Sequence, residues 1–258
     1  MLRRVLFIAN IIYHMQFFIL QQGAAKEFLR LCYFPSWASN RPSPLASYTI
    51  DHIGPSLCTH IVYAFGRIDK DSKLLVATSP LEEDSRPNFV GKYSLFNNLK
   101  KDNSRLRTLL SLGGQNDDGN GFETVTESDV IVNRFAENAV EFLRKRGFDG
   151  LDIDWEFPSK ETKGRFILLL KALREAFEKE ETNGHAKLLL TIAGPPGLYY
   201  IDPGYDIPNI ARYVDYVNLM TYDYTTKNAK VTAFNSPLYS RKDIRFDATL
   251  STVRRIEL

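Results

Sequence analysis

The sequence predicts an α/β fold in which a parallel sheet is covered by helices. Six short runs rich in Val, Ile and Leu alternate along the chain with segments of helical periodicity. This repeating order is typical of parallel strands joined by crossover helices. Most of the runs are continuously apolar, as expected of strands that are buried on both faces. The predicted strands are residues 29–34, 60–66, 107–113, 150–157, 187–193 and 214–222.

Two helices are predicted between these strands. In residues 128–146 and 165–181, apolar side chains recur three or four positions apart, which places them on one face of a helix. Gly147 follows the first segment and Gly184 follows the second, and glycine commonly ends helices. Periodicity alone does not distinguish an open sheet from a closed barrel.

The composition excludes several classes of function. With 258 residues, 44% of them hydrophobic, the chain is long enough for one well-buried domain. Its 33 basic and 31 acidic residues give a net charge of only +2, which indicates neither a nucleic-acid-binding surface nor an acidic tail. No phosphate-binding glycine loop and no His or Cys cluster with ligand spacing occurs, so no cofactor and no metal are expected. A neutral polymer is a natural partner for such a chain.

Residues 1–25 are predicted to be a secretory signal peptide. Arg3 and Arg4 precede a mostly apolar run, and the small residues at 23–25 suit cleavage after Ala25. An uncleaved membrane anchor is the alternative. A membrane-spanning helix, however, needs about 20 consecutive apolar residues, and polar residues interrupt this run. Cleavage would leave residues 26–258 as a secreted, extracellular domain without membrane attachment.

The most informative stretch is residues 148–158, where carboxylates alternate with bulky apolar residues. On an extended strand, Asp152, Asp154 and Glu156 share one face, and the apolar residues between them face the core. Neighbouring carboxylates repel unless some hold protons, which is how a general acid with a raised pKa is made. A calcium loop or a solvated edge strand is the alternative. Calcium loops have glycine and polar residues between their ligands, whereas Ile153 and Trp155 stand here, and this favours a catalytic strand.

This stretch resembles the signature of the family 18 glycoside hydrolases, the chitinases and chitinase-like lectins. The family pattern Asp-x-x-Asp-x-Asp-x-Glu is complete as Asp149, Asp152, Asp154 and Glu156. Four further segments resemble other strand motifs of that family in the same order: residues 31–37, 58–65, 109–114 and 218–223. The resemblance covers about residues 28–258. It implies a (β/α)8 TIM-type barrel, in which the chemistry gathers at the carboxyl ends of the strands.

Six of the eight strands of such a barrel are predicted before the sequence stops at Leu258. The last residues, 246–258, resemble the helical stretch before the seventh strand of the family. The resemblance therefore predicts a barrel that is truncated after about six β/α units, with residues 26–258 as a partial catalytic domain. Six strands would leave two uncovered edges and an exposed apolar interior. We expect a fragment of a longer protein, a natural truncation that is inactive, or a gene fragment without a stable product.

The resemblance also implies the role of each catalytic residue. Glu156 is expected to be the general acid, Asp154 to orient the 2-acetamido group of the sugar, and Asp152 to share its proton. Tyr222 is expected to hydrogen-bond the acetamido carbonyl oxygen. That oxygen attacks the anomeric carbon, so no enzyme nucleophile is required and the configuration is retained through an oxazolinium intermediate.

The substrate-binding residues are implied in the same way. Aromatic rings are expected to stack on the apolar faces of the sugars, while polar groups bind the hydroxyls. The positions that match the family are Tyr33, Trp37, Phe65, Met220 and Asp223. Without the resemblance, Tyr33 and Phe65 are more typical of core packing.

Four residues are expected to have structural roles. Cys32 and Cys58 are the only cysteines, and in an oxidising compartment they most simply form one disulfide; the resembled family has a bridge there. Two buried thiols are the alternative. Strand alternation points Trp155 away from the carboxylates and into the core, and Asp149 is expected to brace the start of its strand.

Two hypotheses of function follow. The first is a secreted chitinase that cleaves β-1,4-N-acetylglucosamine linkages in chitin or chito-oligosaccharides, and it is favoured by Glu156, which inactive lectins of the family usually replace. The second is a catalytically inactive or truncated chitinase-like lectin. It is favoured by the incomplete barrel, by Gln115, which stands where many active members have a sugar-stacking tryptophan, and by residues 225–227, which replace a common His-Gly run.

Overall fold

The computed structural model describes residues 28–84, 87–116, 119–182, 184–230, 232–239 and 251–252. Nearly all of them belong to one compact unit, Leu31–Leu258. The predicted signal peptide, residues 1–25, lies outside the described residues, and so does most of the stretch 246–258. No helix in the described part of the chain is long and apolar enough to cross a membrane.

A curled sheet of parallel strands forms a half-barrel, which confirms the predicted α/β class. Its spatial order is β1-β2-β4-β5-β6-β7, and the short β3 pairs antiparallel with the end of β2. In chain order the strands are β1 (Leu31–Pro35), β2 (His60–Asp69), β3 (Leu74–Val76), β4 (Arg107–Gly113), β5 (Gly150–Asp154), β6 (Leu189–Gly194) and β7 (Tyr216–Leu219).

The helices lie between the strands in sequence, as the strand-helix order predicts. They are α1 (Lys92–Asn98), α2 (Asn120–Val125), α3 (Asp129–Arg146), α4 (Lys163–Glu181), α5 (Leu198–Gly204) and α6 (Ile207–Ile210). The hydroxyl of Ser128 caps the start of α3, and Gly147, with φ +80°, ends it in the left-handed conformation. Both predicted helices are therefore confirmed, and α4 begins two residues before its predicted start.

Register across the sheet sorts its residues into an outer and an inner face. Leu151 and Ile153 of β5 align with leucine and isoleucine residues of β4 and β6, and this outer face packs with α3 and α4 in the core. Ser111, Asp152 and Thr191 align with one another on the inner face, and all three are fully buried. The polar inner face therefore crosses three adjacent strands at one level.

The structure corrects several predicted strand bounds: β2 continues to Asp69 rather than ending at residue 66, and the ends of β5 and β7 affect the site. β5 ends at Asp154 rather than at residue 157, because the ring of Trp155 turns to stack on Phe122 at a centroid distance of 5.0 Å. β7 covers Tyr216–Leu219 rather than residues 214–222, because the amide of Thr221 donates to the carbonyl of Leu219 in a tight three-residue turn. Glu156 and Tyr222 therefore stand on loops just beyond the carboxyl ends of their strands.

The predicted structural residues have the expected surroundings. Cys32 of β1 and Cys58, two residues before β2, form a disulfide with Cα atoms 6.2 Å apart. Asp149 braces β5 against β4, since its carboxylate accepts the backbone N–H of Thr108 at 2.8 Å and the ammonium of Lys100 at 3.0 Å. These contacts hold the first strands of the sheet in register below the carboxylates.

Candidate active site

Asp152 lies on the inner face of β5 with no exposed surface. Its carboxylate accepts hydrogen bonds from four side chains that come from four other strands: Tyr33 at 2.9 Å, Ser111 at 2.8 Å, Thr191 at 2.5 Å and Asn218 at 3.2 Å. Burial raises the pKa of Asp152, and these hydrogen bonds oppose the rise because they stabilise the ionised form. Asp152 is thus a buried carboxyl group whose orientation is fixed beneath the site by four side chains.

Asp154 follows on the same face, nearer the open end of the sheet. Only 6% of the residue is exposed, and its Oδ1 atom is buried without a hydrogen-bond partner among the described residues. Burial, and then the charges of Asp152 and Glu156, raise the pKa of Asp154 to about 8. At neutral pH Asp154 is therefore mostly protonated, and it keeps one polar atom available for a ligand.

Glu156 is half-buried at the wall of a cavity of about 590 Å³. Burial raises the pKa of its carboxyl group. The residue stands on a loop rather than on the strand, but the residue before it anchors the loop. Trp155 is buried against Phe122, and the hydroxyl of Tyr205 donates to the carbonyl of Trp155 at 3.4 Å. The orientation of Glu156 therefore depends on the packing of Trp155 against α2 and on its hydrogen bond with Tyr205, the residue that follows α5.

The cavity brings together residues that the sequence places far apart. It is lined by Asp154, Glu156 and Tyr222 and by all five of the predicted substrate-binding residues, which are Tyr33, Trp37, Phe65, Met220 and Asp223. Asp152 lies below the cavity and reaches it through the hydroxyl of Tyr33. The expected proximity of these side chains is thus observed, while their roles in catalysis and binding stay predictions.

Aromatic rings form one wall of the cavity. Trp37 is half exposed, and its ring stacks on Phe65 at 5.7 Å with an interplanar angle of 13°. Two glycines allow close approaches beside this wall, Gly113 to the end of β5 and Gly114 to the ring of Phe65. A Cβ atom on Gly113 would lie 2.2 Å from the carbonyl oxygen of Asp154, and one on Gly114, whose φ is +87°, would lie 2.5 Å from the ring of Phe65. Phe65 lines the cavity and is not among the residues of the buried core.

Tyr222 and Asp223 also line this cavity. Burial, and then the charges of Asp154 and Glu156, raise the pKa of Tyr222, so its hydroxyl keeps its proton over the physiological range. Asp223 has φ +57°, in the left-handed region that aspartate tolerates better than most residues. The side-chain amide of Asn235 donates to its carboxylate at 2.9 Å. Asn235 thus holds Asp223 in this conformation.

Residues 30–256 match the sequence model of the family described as glycosyl hydrolases family 18. The chain belongs to family 18. It is 38% identical over 220 residues to a probable endochitinase of Caenorhabditis elegans, and that match covers 84% of this chain but 35% of the relative. The chain therefore spans about a third of the length of that relative.

Solved structures agree with this assignment. An immunomodulatory active chitinase from Trichuris suis superposes with a TM-score of 0.82 at 31% identity, over 90% of this chain and 61% of the other. Human YKL-39, a pseudo-chitinase with retained chitooligosaccharide binding, superposes with a TM-score of 0.79 at 29% identity, over 89% of this chain and 62% of the other. The half-barrel of this family 18 chain corresponds to about three fifths of those structures.

Several residues of the site were missed by the sequence analysis. Ser111 and Thr191 sit inside apolar strand runs, and a hydroxyl in such a run is a signal that something polar is buried beside it. Asn218 donates to both Asp152 and the hydroxyl of Tyr33. Tyr205 carries no local signal, because its partner lies 50 residues away. No group of three or more His, Cys, Asp or Glu side chains in the described ranges is arranged to hold a metal.

Proposed function

We propose that the protein is a secreted chitinase that cleaves β-1,4-N-acetylglucosamine linkages in chitin and chito-oligosaccharides. The observation that carries the proposal is the graded set of carboxyl groups. Asp152 accepts four hydrogen bonds, Asp154 keeps an unpartnered oxygen, and Glu156 stands at the cavity wall with a raised pKa. The activity of the related Trichuris suis chitinase supports the same substrate class.

The first chemical step uses Glu156 as the general acid. A carboxyl group must hold its proton at the working pH to protonate the glycosidic oxygen, and burial favours the protonated form. As that proton moves to the leaving oxygen, the acetamido carbonyl oxygen of the substrate attacks the anomeric carbon and the glycosidic bond breaks. The products of this step are a leaving sugar with a free hydroxyl and an oxazolinium ion.

Asp154 and Tyr222 hold the acetamido group during the attack. The unpartnered Oδ1 of Asp154 is available to accept the acetamido N–H, and the hydroxyl of Tyr222 donates to the acetamido oxygen. As positive charge develops on the oxazolinium ion, a proton moving from Asp154 toward Asp152 would leave a negative charge beside it. A negative charge that appears only as the positive charge forms stabilises the transition state more than the ground state.

The second step restores the enzyme. Glu156, now ionised, removes a proton from a water molecule, whose oxygen attacks the anomeric carbon and opens the oxazolinium ring. The anomeric configuration is inverted twice and therefore retained. The stacked rings of Trp37 and Phe65 would bind the apolar face of a sugar, with Met220 and Asp223 lining the same cavity. Cleavage of residues 1–25 and secretion of residues 26–258 belong to this proposal.

Carbohydrate binding without cleavage is the second candidate function. Gln115 lines the cavity where a stacking tryptophan is expected, so one wall of the site lacks a flat ring. Human YKL-39 provides a relative of this kind. In this case the aromatic wall and Tyr222 would bind chito-oligosaccharides, while the position of the substrate relative to Glu156 would be unproductive.

Hydrolysis of a fluorogenic chitobioside tests the proposal. The full chain should release the fluorophore, and Glu156→Gln should reduce kcat by at least about 10²-fold, the usual contribution of a general acid. Glu175→Gln, which removes an exposed carboxylate on α4, is the matched control and should leave kcat unchanged. Binding of chito-oligosaccharide without turnover by the unaltered chain would favour the second candidate. Absence of both binding and turnover would refute both.

A further inference from the structure

A second cavity, of about 620 Å³, adjoins the one that contains the carboxyl groups. It lies among the loop after β5, the residues 158–161 and the helix α5. The two cavities share four lining residues, which are Gln115, Glu156, Phe157 and Tyr200. Glu156 therefore stands between two adjoining cavities. The volume of the second cavity is within the range of sites that bind small molecules.

Three aromatic rings form a step along this second cavity. The ring of Tyr200 lies 4.3 Å from that of Phe157, and the ring of Tyr199 lies 5.2 Å from that of Tyr200 in an edge-on arrangement. Tyr199 is 84% exposed and lines the cavity. We refer to these three residues as the aromatic step.

The step has a fixed position relative to Glu156. A Cβ atom on Gly204, at the end of α5, would lie 2.0 Å from the carbonyl oxygen of Pro158, so α5 packs directly against the loop that carries the acid. The hydroxyl of Tyr205 donates to the carbonyl of Trp155 on the same loop. The aromatic step and the general acid thus belong to one packed unit.

We propose that the aromatic step binds the leaving-group side of a β-1,4-N-acetylglucosamine chain, with Tyr199 as the residue that determines the length of chain bound. This inference rests on the proposed function. A general acid must lie between the two sugars that it separates. Asp154 and Tyr222 line the first cavity only, so the sugar that is attacked occupies that cavity and the leaving sugars occupy the second.

The chemistry of the second cavity fits a neutral sugar. Gln115 can donate and accept hydrogen bonds but offers no ring, so stacking falls to the tyrosines. Apart from Glu156, the charged lining residues are one of each sign, Lys160 and Glu161, and the carboxylate of Glu161 accepts a hydrogen bond from Ser159 at 2.8 Å. Such a lining favours acetamido sugars and hydroxyls over a polyanion.

Calorimetric titration of the full chain carrying Glu156→Gln tests the inference, because a bound oligomer is then not cleaved. We expect Tyr199→Ala in this background to weaken binding of chitohexaose roughly tenfold, within the range by which loss of a stacking ring weakens other ligands. Tyr199→Trp, which keeps a ring, should bind as the parent does. Tyr239→Ala, at an exposed tyrosine that lines neither cavity, is the matched control and should have no effect.

Chitohexaose binding by Tyr199→Ala that equals the parent would overturn the inference, and so would absence of binding by the parent. A different observation would refute the proposed function. That observation is the absence of fluorophore release by the chain in which Glu156 is unaltered. A chain that binds chitohexaose through Tyr199 without hydrolysing chitobioside would support the inference while refuting the proposed catalysis.

Discussion

Replacement of Asp154 by asparagine should make the stability of the protein less dependent on pH. In the folded chain, burial and then the charges of Asp152 and Glu156 raise the pKa of Asp154 from 3.8 to about 8. In the unfolded chain the carboxyl group is hydrated and its pKa is about 3.9. Between these two values the folded state holds a proton that the unfolded state has released.

The sign and size of the effect follow from this difference. A group whose pKa is raised by folding contributes its full stability below the unfolded pKa, and it loses that stability as pH rises through the folded pKa. The interval between 3.8 and about 8 corresponds to ~6 kcal/mol of the free energy of unfolding. Asparagine has no proton to lose, so relative to the unaltered chain the variant should gain several kcal/mol between pH 4 and pH 9.

Urea denaturation followed by circular dichroism at pH 4 and at pH 9 measures this gain. Asp71→Asn, at an exposed position in the turn between β2 and β3, controls for the change in net charge. If the difference between Asp154→Asn and the unaltered chain is the same at both pH values to within about 1 kcal/mol, Asp154 does not hold a proton in the folded state. The electrostatic part of the proposed mechanism would then be wrong.

Three further predictions concern the surroundings of the site. Tyr33→Phe removes a hydrogen bond to a buried carboxylate and should lower the free energy of unfolding by ~1–3 kcal/mol, measured by urea denaturation; an unchanged value would contradict the hydrogen bond. Gly114→Ala should lower it by ~1–3 kcal/mol, because the residue has φ +87° and faces an aromatic ring, whereas Gly164→Ala on α4, with open space around it, should raise it by ~0.5–1 kcal/mol. Equal effects of the two alanines would refute this reasoning. Joint replacement of Cys32 and Cys58 by serine should cost ~3 kcal/mol for a separation of 26 residues, seen as a lower Tm under non-reducing conditions, and an unchanged Tm would show that the bond is not stabilising.

Local patterns in the sequence were sufficient for the six strands of the parallel sheet and for the helices α3 and α4, but not for β3 or the shorter helices. The helix α3 was predicted to within one residue because a 3.6-residue apolar period and a terminal glycine both act within the helix itself, and the structure adds the cap at Ser128. The ends of β5 and β7 were not predicted correctly, because they are set by Trp155 stacking on Phe122 and by a turn at Thr221. Contacts of this kind cannot be predicted from the periodicity of a strand.

The sequence by itself determined that Asp152 and Asp154 share the inner face of one strand, since a period of two is a property of any extended chain. The resemblance to family 18 supplied the roles expected of them, and those roles stay predictions. Only the tertiary structure decided how the carboxyl groups differ. Asp152 is held by Tyr33, 119 residues away, and by Asn218, 66 residues away, whereas the Oδ1 of Asp154 has no partner in the described part of the chain. Burial and hydrogen bonds set the pKa of each group, and both arise only when distant strands meet across the sheet.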